Sequence, residues 1–301
     1  MEIAIMLEGQ NGLTWPRFQK IAALVEELGF AGLYRSDHFT NANPPDMESL
    51  ECWTSLTWLA SHTRRIEFGP LVSPLSFRSP AMTARMAAAV DDLSGGRLTL
   101  GLGAGWQERE HHLFGYNLLD TKARFERFEE GLEIITRLLK NDGPASFEGK
   151  YFQLREASLL PRPQRPGGPR LLIGGSGEKR TLPLVARYAD EWNATFQTPT
   201  GFARLSARLD DLLKAGGRTL GSVHRSMMTG LIFAQTQPAL DRKLNGRSMD
   251  DLHERGFIIG VGDQILPQLA DLEQAGLKRI MLQWLDLDDL DGLIALAKIV
   301  V

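Results

Sequence analysis

Residues 31–38 read Ala-Gly-Leu-Tyr-Arg-Ser-Asp-His, a short apolar run that ends abruptly in the polar triplet Ser36-Asp37-His38. The run is typical of a buried strand, and parallel α/β folds place their chemistry where such strands end. Three later strand ends are also polar or glycine-rich: Pro70-Leu71-Val72-Ser73, residues 101–110 and residues 174–179. We therefore expect one site built from successive strand–helix loops, with Asp37 and His38 as its first candidate residues.

Apolar runs alternate with helical periodicity along most of the chain. The pattern predicts strands at 3–7, 31–35, 65–72, 97–102, 170–173, 191–195, 227–234 and 279–284. It predicts helices at 15–28, 49–61, 80–93, 121–140, 179–188, 202–214, 262–275 and 288–299. Eight strand–helix units without a strong boundary favour a single α/β domain over residues 1–301, folded as a (β/α)8 TIM barrel. A doubly wound open sheet of two halves is the alternative.

Two segments break the alternation. Residues 141–168 contain Gly143-Pro144, Gly149 and a proline-rich run from 161 to 166, which predict an inserted hairpin and an extended loop. Residues 235–256 are polar, charged and weakly patterned, and we interpret them as a candidate flap over the barrel mouth.

Composition excludes several classes of function. The chain has 301 residues, 43% of them hydrophobic, and a formal net charge of -3, so it has no basic surface for nucleic acid or anionic membranes. Its single cysteine, Cys52, lies in an apolar helical stretch and indicates a reducing compartment. No signal peptide, long apolar span or zinc-type histidine spacing is visible. We expect a cytoplasmic enzyme without a metal.

Two glycine-rich strand ends could hold a ligand. Gly101-Leu102-Gly103-Ala104-Gly105-Trp106-Gln107 follows the fourth strand, and glycines let a flat ring or a phosphate approach the backbone. Its spacing differs from the dinucleotide fingerprint, and Trp106 could either stack on a cofactor or plug the mouth. Gly174-Gly175-Ser176-Gly177-Glu178-Lys179 runs into a helix start, whose free N–H groups suit a phosphate, with Ser176, Lys179 and Arg180 as further donors. An ordinary capped turn is the alternative there.

As a set, these segments resemble the luciferase-like superfamily of flavin and deazaflavin oxidoreductases, which are (β/α)8 barrels. The matching stretches are Ser36-Asp37-His38-Phe39, residues 69–80, residues 93–106, residues 173–190 and residues 275–280. Within the superfamily the chain is most similar to the branch that uses coenzyme F420, a 5-deazaflavin. The resemblance spans nearly the whole chain.

The resemblance implies roles for individual residues. Asp37 and His38 would contact the deazaflavin, and a non-prolyl cis peptide at Leu71-Val72, next to Ser73, would support its ring from behind. Ala104, Gly105 and Trp106 would lie at the ring system, with Gln107 where many relatives have asparagine. Residues Gly174 to Lys179 would take the phosphate. Arg162, Arg165 and Arg170 precede that loop and are candidates for binding the anionic tail of F420.

The resemblance implies an oxidoreductase that transfers a hydride between C5 of F420 and an unidentified small organic substrate, with His38 supplying a proton. An FMN-dependent monooxygenase on the same scaffold is the alternative, and a non-catalytic binder of a phosphorylated ligand is a third reading. Trp106 stands where sugar-phosphate dehydrogenases of the family have a catalytic glutamate, so glucose 6-phosphate is a doubtful substrate. Glu108 and Glu110 are poor replacements on sequence alone. A homodimer is compatible with the family.

Overall fold

Parallel strands form the central sheet of the computed structural model, which describes residues 1–301. The strands are β1 Glu2–Leu7, β2 Gly32–Arg35, β3 Glu67–Pro70, β4 Ser73–Pro74, β5 Thr99–Gly103, β6 Ala145–Glu148, β7 Gln153–Ala157, β8 Arg170–Gly174, β9 Glu191–Thr195, β10 His224–Ala234, β11 Ile258–Val261 and β12 Arg279–Gln283.

The sheet curves into a barrel. Its strand order is β3-β2-β1-β12-β10-β9-β8-β5-β4, and a parallel bridge between Phe68 and Leu98 joins β3 to β5. Of these nine strands, β3 and β4 are consecutive parts of one barrel strand, which leaves eight. The predicted (β/α)8 barrel is confirmed, and the open-sheet alternative is wrong because the two ends of the sheet meet.

Helices surround the barrel. They are α1 Trp15–Leu28, α2 Cys52–His62, α3 Pro80–Ser94, α4 Glu108–Leu113, α5 Thr121–Lys140, α6 Thr181–Tyr188, α7 Pro199–Ala215, α8 Gln237–Leu244, α9 Met249–Glu254, α10 Ile265–Gln274 and α11 Leu290–Val300. Local sequence sets several of their ends. The Ser79 side chain accepts a hydrogen bond from the backbone N–H of Met82, and Gly95 ends the same helix with φ 71°. None of the helices is both long enough and apolar enough to span a bilayer.

The amino ends of the strands are closed by an ionic cluster around the buried side chain of Arg279. Arg279 is 2% exposed and is the first residue of β12. It pairs with Glu2, Glu67 and Glu191, which are the first residues of β1, β3 and β9. The Tyr34 hydroxyl accepts a further hydrogen bond from Arg279. Because charged groups seal this end, the cavity of the barrel opens only toward the carboxyl ends of the strands.

Both irregular segments contain regular structure. The predicted hairpin at 141–168 is confirmed as the antiparallel pair β6–β7. The segment 235–256, in contrast, is not a weakly patterned loop. It holds α8 and α9, which pack on β10 and β11 through a small cluster that includes Ile232, Leu240, Leu244, Leu252 and Ile259. The sequence missed β11, α4 and both of these helices because each is shorter than the window in which a period can be recognised.

Candidate active site

His38 forms a hydrogen-bonded pair with Glu110. Nδ1 of His38 lies 2.8 Å from Oε1 of Glu110, and the second carboxylate oxygen accepts a hydrogen bond of 3.0 Å from the backbone N–H of Phe39. The Glu110 side chain is 1% exposed, whereas that of His38 is 17% exposed. The pair joins the end of β2 to α4. It fixes the imidazole and leaves Nε2 of His38 without a hydrogen-bond partner inside the protein.

Electrostatics favour the charged form of His38. Burial lowers the pKa of its imidazole, but the hydrogen bond to Glu110 and the negative charges of Glu110, Glu8 and Asp37 raise it by more. The net result is a pKa above the ordinary histidine value, so the ring holds its proton at a higher pH than a free imidazole would. A histidine in this state suits general acid chemistry near neutral pH.

Asp37 lies outside the cavity, although it is next to His38 in sequence. It is 2% exposed and accepts hydrogen bonds from the Ser73 hydroxyl, at 2.6 Å, and from the guanidinium of Arg78, at 2.5 and 3.3 Å. The indole N–H of Trp53 donates to the same Ser73 hydroxyl. Asp37 and Ser73 therefore hold β2 and β4 together behind the site, and neither borders the cavity.

A cavity of about 270 Å³ occupies the carboxyl end of the barrel. Its walls combine apolar side chains with a polar rim: Met6, Leu71, Val72, Pro74, Phe196, Met228, Glu8, Gln10, Ser36, His38, Gly105, Trp106, Glu110 and Gln283. This volume is close to the lower end of the range for small-molecule sites, ~300–1,000 Å³. The peptide bond between Leu71 and Val72 is cis, which confirms that prediction.

The glycines of β5 and β8 make room for protein atoms. A Cβ on Gly101 would lie 2.0 Å from the Pro70 carbonyl oxygen, and one on Gly103 or Gly174 would lie 2.6 or 2.9 Å from the Val72 side chain. We interpreted the glycine run as a route by which a ring approaches the backbone. For Gly101 and Gly103 that interpretation is wrong, because the third barrel strand already fills the space. They let Val72 sit inside the barrel, where it borders the cavity.

The residues after β5 separate in space. Gly105, with φ 86°, and Trp106 both line the cavity. Trp106 is 61% exposed and meets the His38 ring edge to face, with ring centres 5.6 Å apart. Gln107 is buried and bonds both the hydroxyl and the carbonyl of Thr40, so it anchors the loop after β2. Ala104 is half-buried and packs against the core.

The loop between β8 and α6 offers unpaired backbone donors. The N–H of Gly175 donates to the Asn193 carbonyl, and the Ser176 hydroxyl accepts from the N–H of Thr195. The N–H groups of residues 176–179 make no hydrogen bond within the protein. Lys179 is exposed and has no ion-pair partner, while Glu178 pairs with Arg204. None of residues 174–179 borders the cavity. The loop is connected to it only indirectly, because the Ser176 hydroxyl bonds Thr195, whose neighbour Phe196 lines the cavity.

The three arginines expected to bind a cofactor tail lie elsewhere, so that prediction is wrong. Arg162 donates to carbonyls at the end of α5, Arg165 pairs with Asp91, and Arg170 pairs with Glu67. Arg170 and Glu67 begin their strands, so this group lies toward the sealed end of the barrel. The barrel rule already indicates this placement, because residues that directly precede a strand lie at its amino end, opposite the mouth.

Sequence reasoning missed several cavity residues. Glu8 follows β1 and Gln283 ends β12, and the strand-end rule that selected His38 would have selected both. Glu110 was considered only as a substitute for another residue. Its place one helical turn after the β5 glycines is the signal that it lies at the same mouth.

The matched family model and the fold agree on the class of protein. The family model described as luciferase-like monooxygenase matches residues 1–249, and the chain belongs to this family. It is 32% identical over 204 residues to 4-hydroxyprotoasukamycin monooxygenase of Streptomyces nodosus subsp. asukaensis, covering 67% of this chain and 52% of the relative. It is 29% identical over 219 residues to F420-dependent glucose-6-phosphate dehydrogenase of Kineococcus radiotolerans, covering 70% and 62%. The chain thus matches only about half to three fifths of these relatives' length.

Solved structures show the same fold. An F420-dependent secondary alcohol dehydrogenase in complex with an F420-acetone adduct superposes with a TM-score of 0.87 at 16% identity, over 99% of this chain and 98% of that one. A riboflavin lyase with modified FMN and riboflavin gives a TM-score of 0.82 at 14% identity, over 100% and 90%. These relatives and neighbours include both oxidoreductases named for F420 and monooxygenases.

Proposed function

We propose that this protein is an F420-dependent oxidoreductase that acts on a small organic substrate. One observation carries the proposal: the His38–Glu110 pair lines the same cavity as the apolar side chains of Leu71 and Val72. The 176–179 loop does not line this cavity, but it is linked to the cavity wall through Ser176, Thr195 and Phe196. When bound, F420 supplies a carbon, C5, that accepts or donates a hydride.

The residues present fit such a cofactor. Met6, Leu71, Val72 and Met228 offer apolar surface to a flat ring, and the polar side chains stand on the rim. The four unpaired N–H groups of residues 176–179, at the start of α6, suit a phosphate, because backbone donors and the helix dipole both favour an anion. Gly175 itself is engaged with Asn193, so the phosphate donors begin at Ser176.

His38 is the residue that would handle a proton. Its Nε2 has no partner in the protein and its ring borders the cavity, so this nitrogen can give a proton to a substrate atom or accept one from it. Glu110 holds the opposite nitrogen and stabilises the imidazolium form. Asp37, through Ser73 and Arg78, stabilises the scaffold on which His38 stands.

Cations beside the phosphate loop favour F420 over FMN, because F420 continues beyond its phosphate into an anionic tail. Arg204, Arg208 and Lys179 all lower the pKa of the Glu178 carboxyl, first through the hydrogen bond from Arg204 and then through charge. All three side chains are exposed near the loop, where a tail can reach them. They replace the arginines at 162, 165 and 170 as candidates for tail binding.

The second candidate function is an FMN-dependent monooxygenase. It is favoured by the family model and by the 32% identity to a monooxygenase. An FMN phosphate would use the same donors at residues 176–179, while the exposed cations beyond the loop would contribute little to its affinity.

Titration of the purified protein with F420 and with FMN, followed by absorbance, decides between the two. We expect F420 to bind more tightly, with affinity that falls as salt rises, because the exposed cations are screened. His38→Ala should keep this affinity and slow turnover, and His62→Ala on the outer face of α2 is the matched control. Tight FMN binding with oxygen-dependent turnover, and no measurable F420 binding, would establish the monooxygenase instead.

A further inference from the structure

Two of the three ionisable groups that line the cavity are acidic. Among its fourteen lining residues, only Glu8, His38 and Glu110 carry ionisable side chains, and none is lysine or arginine. Glu110 is paired with His38, whose protonated form balances its charge. Glu8 forms no ion pair of its own and lies on the rim of the cavity.

The arginines nearest to these residues are held by other partners. Arg35 is buried and donates to the Leu50 carbonyl and the Ser55 hydroxyl. Arg78 pairs with Asp37 and Glu51, and Arg109 forms two hydrogen bonds with Asp46. An anionic group that entered the cavity would therefore meet no free guanidinium or ammonium group.

Glu8 is positioned by amide side chains. The Gln283 amide donates to Oε1 at 2.5 Å, and the Gln10 amide donates to Oε2 at 2.9 Å. The Ser36 hydroxyl orients Gln10 by donating to its oxygen at 2.7 Å and accepts the backbone N–H of Gly9. Each carboxylate oxygen can accept more than one hydrogen bond, so both retain capacity toward a ligand in the cavity.

We propose that the substrate is a hydrogen-bond donor without an anionic group, an alcohol or amine whose O–H or N–H is received by Glu8 on the rim of the cavity. The inference rests on the proposed function and names its substrate class. The anionic phosphate of the cofactor and the substrate then bind at different places. The phosphate binds at residues 176–179, and the substrate binds at the acidic rim of the cavity. A phosphorylated, carboxylated or sulfonated substrate is disfavoured by repulsion from Glu8, because the one cation of the cavity, protonated His38, is already paired with Glu110.

Three probes of similar size test this selectivity: benzyl alcohol, benzylamine and sodium benzoate. Each is titrated into F420-loaded protein with ¹³C-labelled methionine methyl groups. Met6 and Met228 both line the cavity, and exposed Met82 on α3 is the internal control. We expect benzyl alcohol and benzylamine to shift the Met6 and Met228 signals with dissociation constants about 10- to 100-fold lower than that of benzoate. The reason is that the carboxylates of benzoate and Glu8 repel each other appreciably at an effective dielectric constant of ~20.

A matched pair of variants assigns the effect. Glu8→Gln keeps the shape of the side chain and removes its charge, so it should reduce the discrimination against benzoate. Glu27→Gln, on the exposed face of α1, should leave it unchanged. Because the wild-type probe series stands alone, a Glu8 variant that failed to fold would not remove the test.

The outcomes separate the inference from the proposed function. Benzoate binding as tightly as benzyl alcohol overturns the inference, and so does the failure of all three probes to shift Met6 or Met228. F420 binding is read independently by absorbance. If F420 does not bind but the free protein still prefers the alcohol and the amine, the cofactor proposal fails and the charge selectivity stands.

Discussion

Glu110→Gln isolates the charge that supports His38. The substitution keeps the side-chain shape and an oxygen for the Phe39 N–H, while it removes the carboxylate 2.8 Å from Nδ1 of His38. A hydrogen bond to a charged group contributes about 1.5–3 kcal/mol, and a pKa unit corresponds to about 1.4 kcal/mol. The protonation equilibrium of His38 should therefore shift by about 10- to 100-fold toward the neutral ring.

The measurement is a pH titration of the histidine ring signals by NMR, with exposed His62 as internal control and Glu108→Gln as matched variant. Glu108 is exposed on the same helix and has no polar partner. The pKa of His38 should fall in the Glu110 variant and stay constant in the Glu108 variant. A shift of less than about twofold in the protonation equilibrium would refute the view that Glu110 keeps this imidazole charged.

The His38–Glu110 pair also determines how the free energy of unfolding changes with pH. Burial lowers the pKa of His38, but the hydrogen bond to Glu110 and the charges of Glu110, Glu8 and Asp37 together raise it by more, so the folded value exceeds the unfolded value of about 6.5. The stabilising contribution is fully present below that unfolded value and is lost as pH rises through the folded pKa. Glu110→Gln should remove this pH dependence from the free energy of unfolding, measured by urea denaturation across the same pH range.

Two further substitutions test the phosphate loop and the barrel interior. Lys179→Glu should weaken F420 binding by about tenfold at low salt, about 1.4 kcal/mol, whereas Lys278→Glu at the sealed end of the barrel should leave it unchanged. If absorbance titrations gave equal affinities for the two variants, Lys179 would not belong to the site. Gly69→Ala would place a Cβ 1.9 Å from the Thr99 carbonyl oxygen and should lower the free energy of unfolding by at least about 1–3 kcal/mol. Gly143→Ala is the control, because a Cβ there meets nothing within 4 Å. Unchanged urea midpoints for both variants would contradict the close approach at Gly69.

Long elements were predictable from sequence because their signals are local and redundant. Helices α1 and α5 begin and end where the sequence predicted, at residues 15–28 and 121–140. Gly29 with φ 93° ends the first, and the Asp120 carboxylate accepts from two N–H groups at the start of the second. A helix of six residues such as α4 has no comparable signal, and its position depends on the contacts it makes across the barrel.

The site was predictable only as a set of strand ends. His38, Val72, Gly105 and Trp106 all reach the cavity, as the barrel rule requires. Which way a side chain points at the end of a strand is a tertiary property, so the sequence could not distinguish His38 from its neighbour Asp37. It also could not show that Glu110, in a helix too short to recognise, completes the pair.

The two ends of the barrel show opposite uses of charge. At the amino ends, Arg279 pairs with three carboxylates, of which Glu191 is buried while Glu2 and Glu67 stay partly exposed, and this network closes the barrel there. At the carboxyl ends, Glu110 neutralises only His38, and Glu8 is held by amides that bring no charge of their own. A carboxylate that is not paired with a cation needs water or a ligand as its partner. The unused hydrogen-bonding capacity of Glu8 at the open end is therefore available to solvent or to a hydrogen-bond donor that enters the cavity.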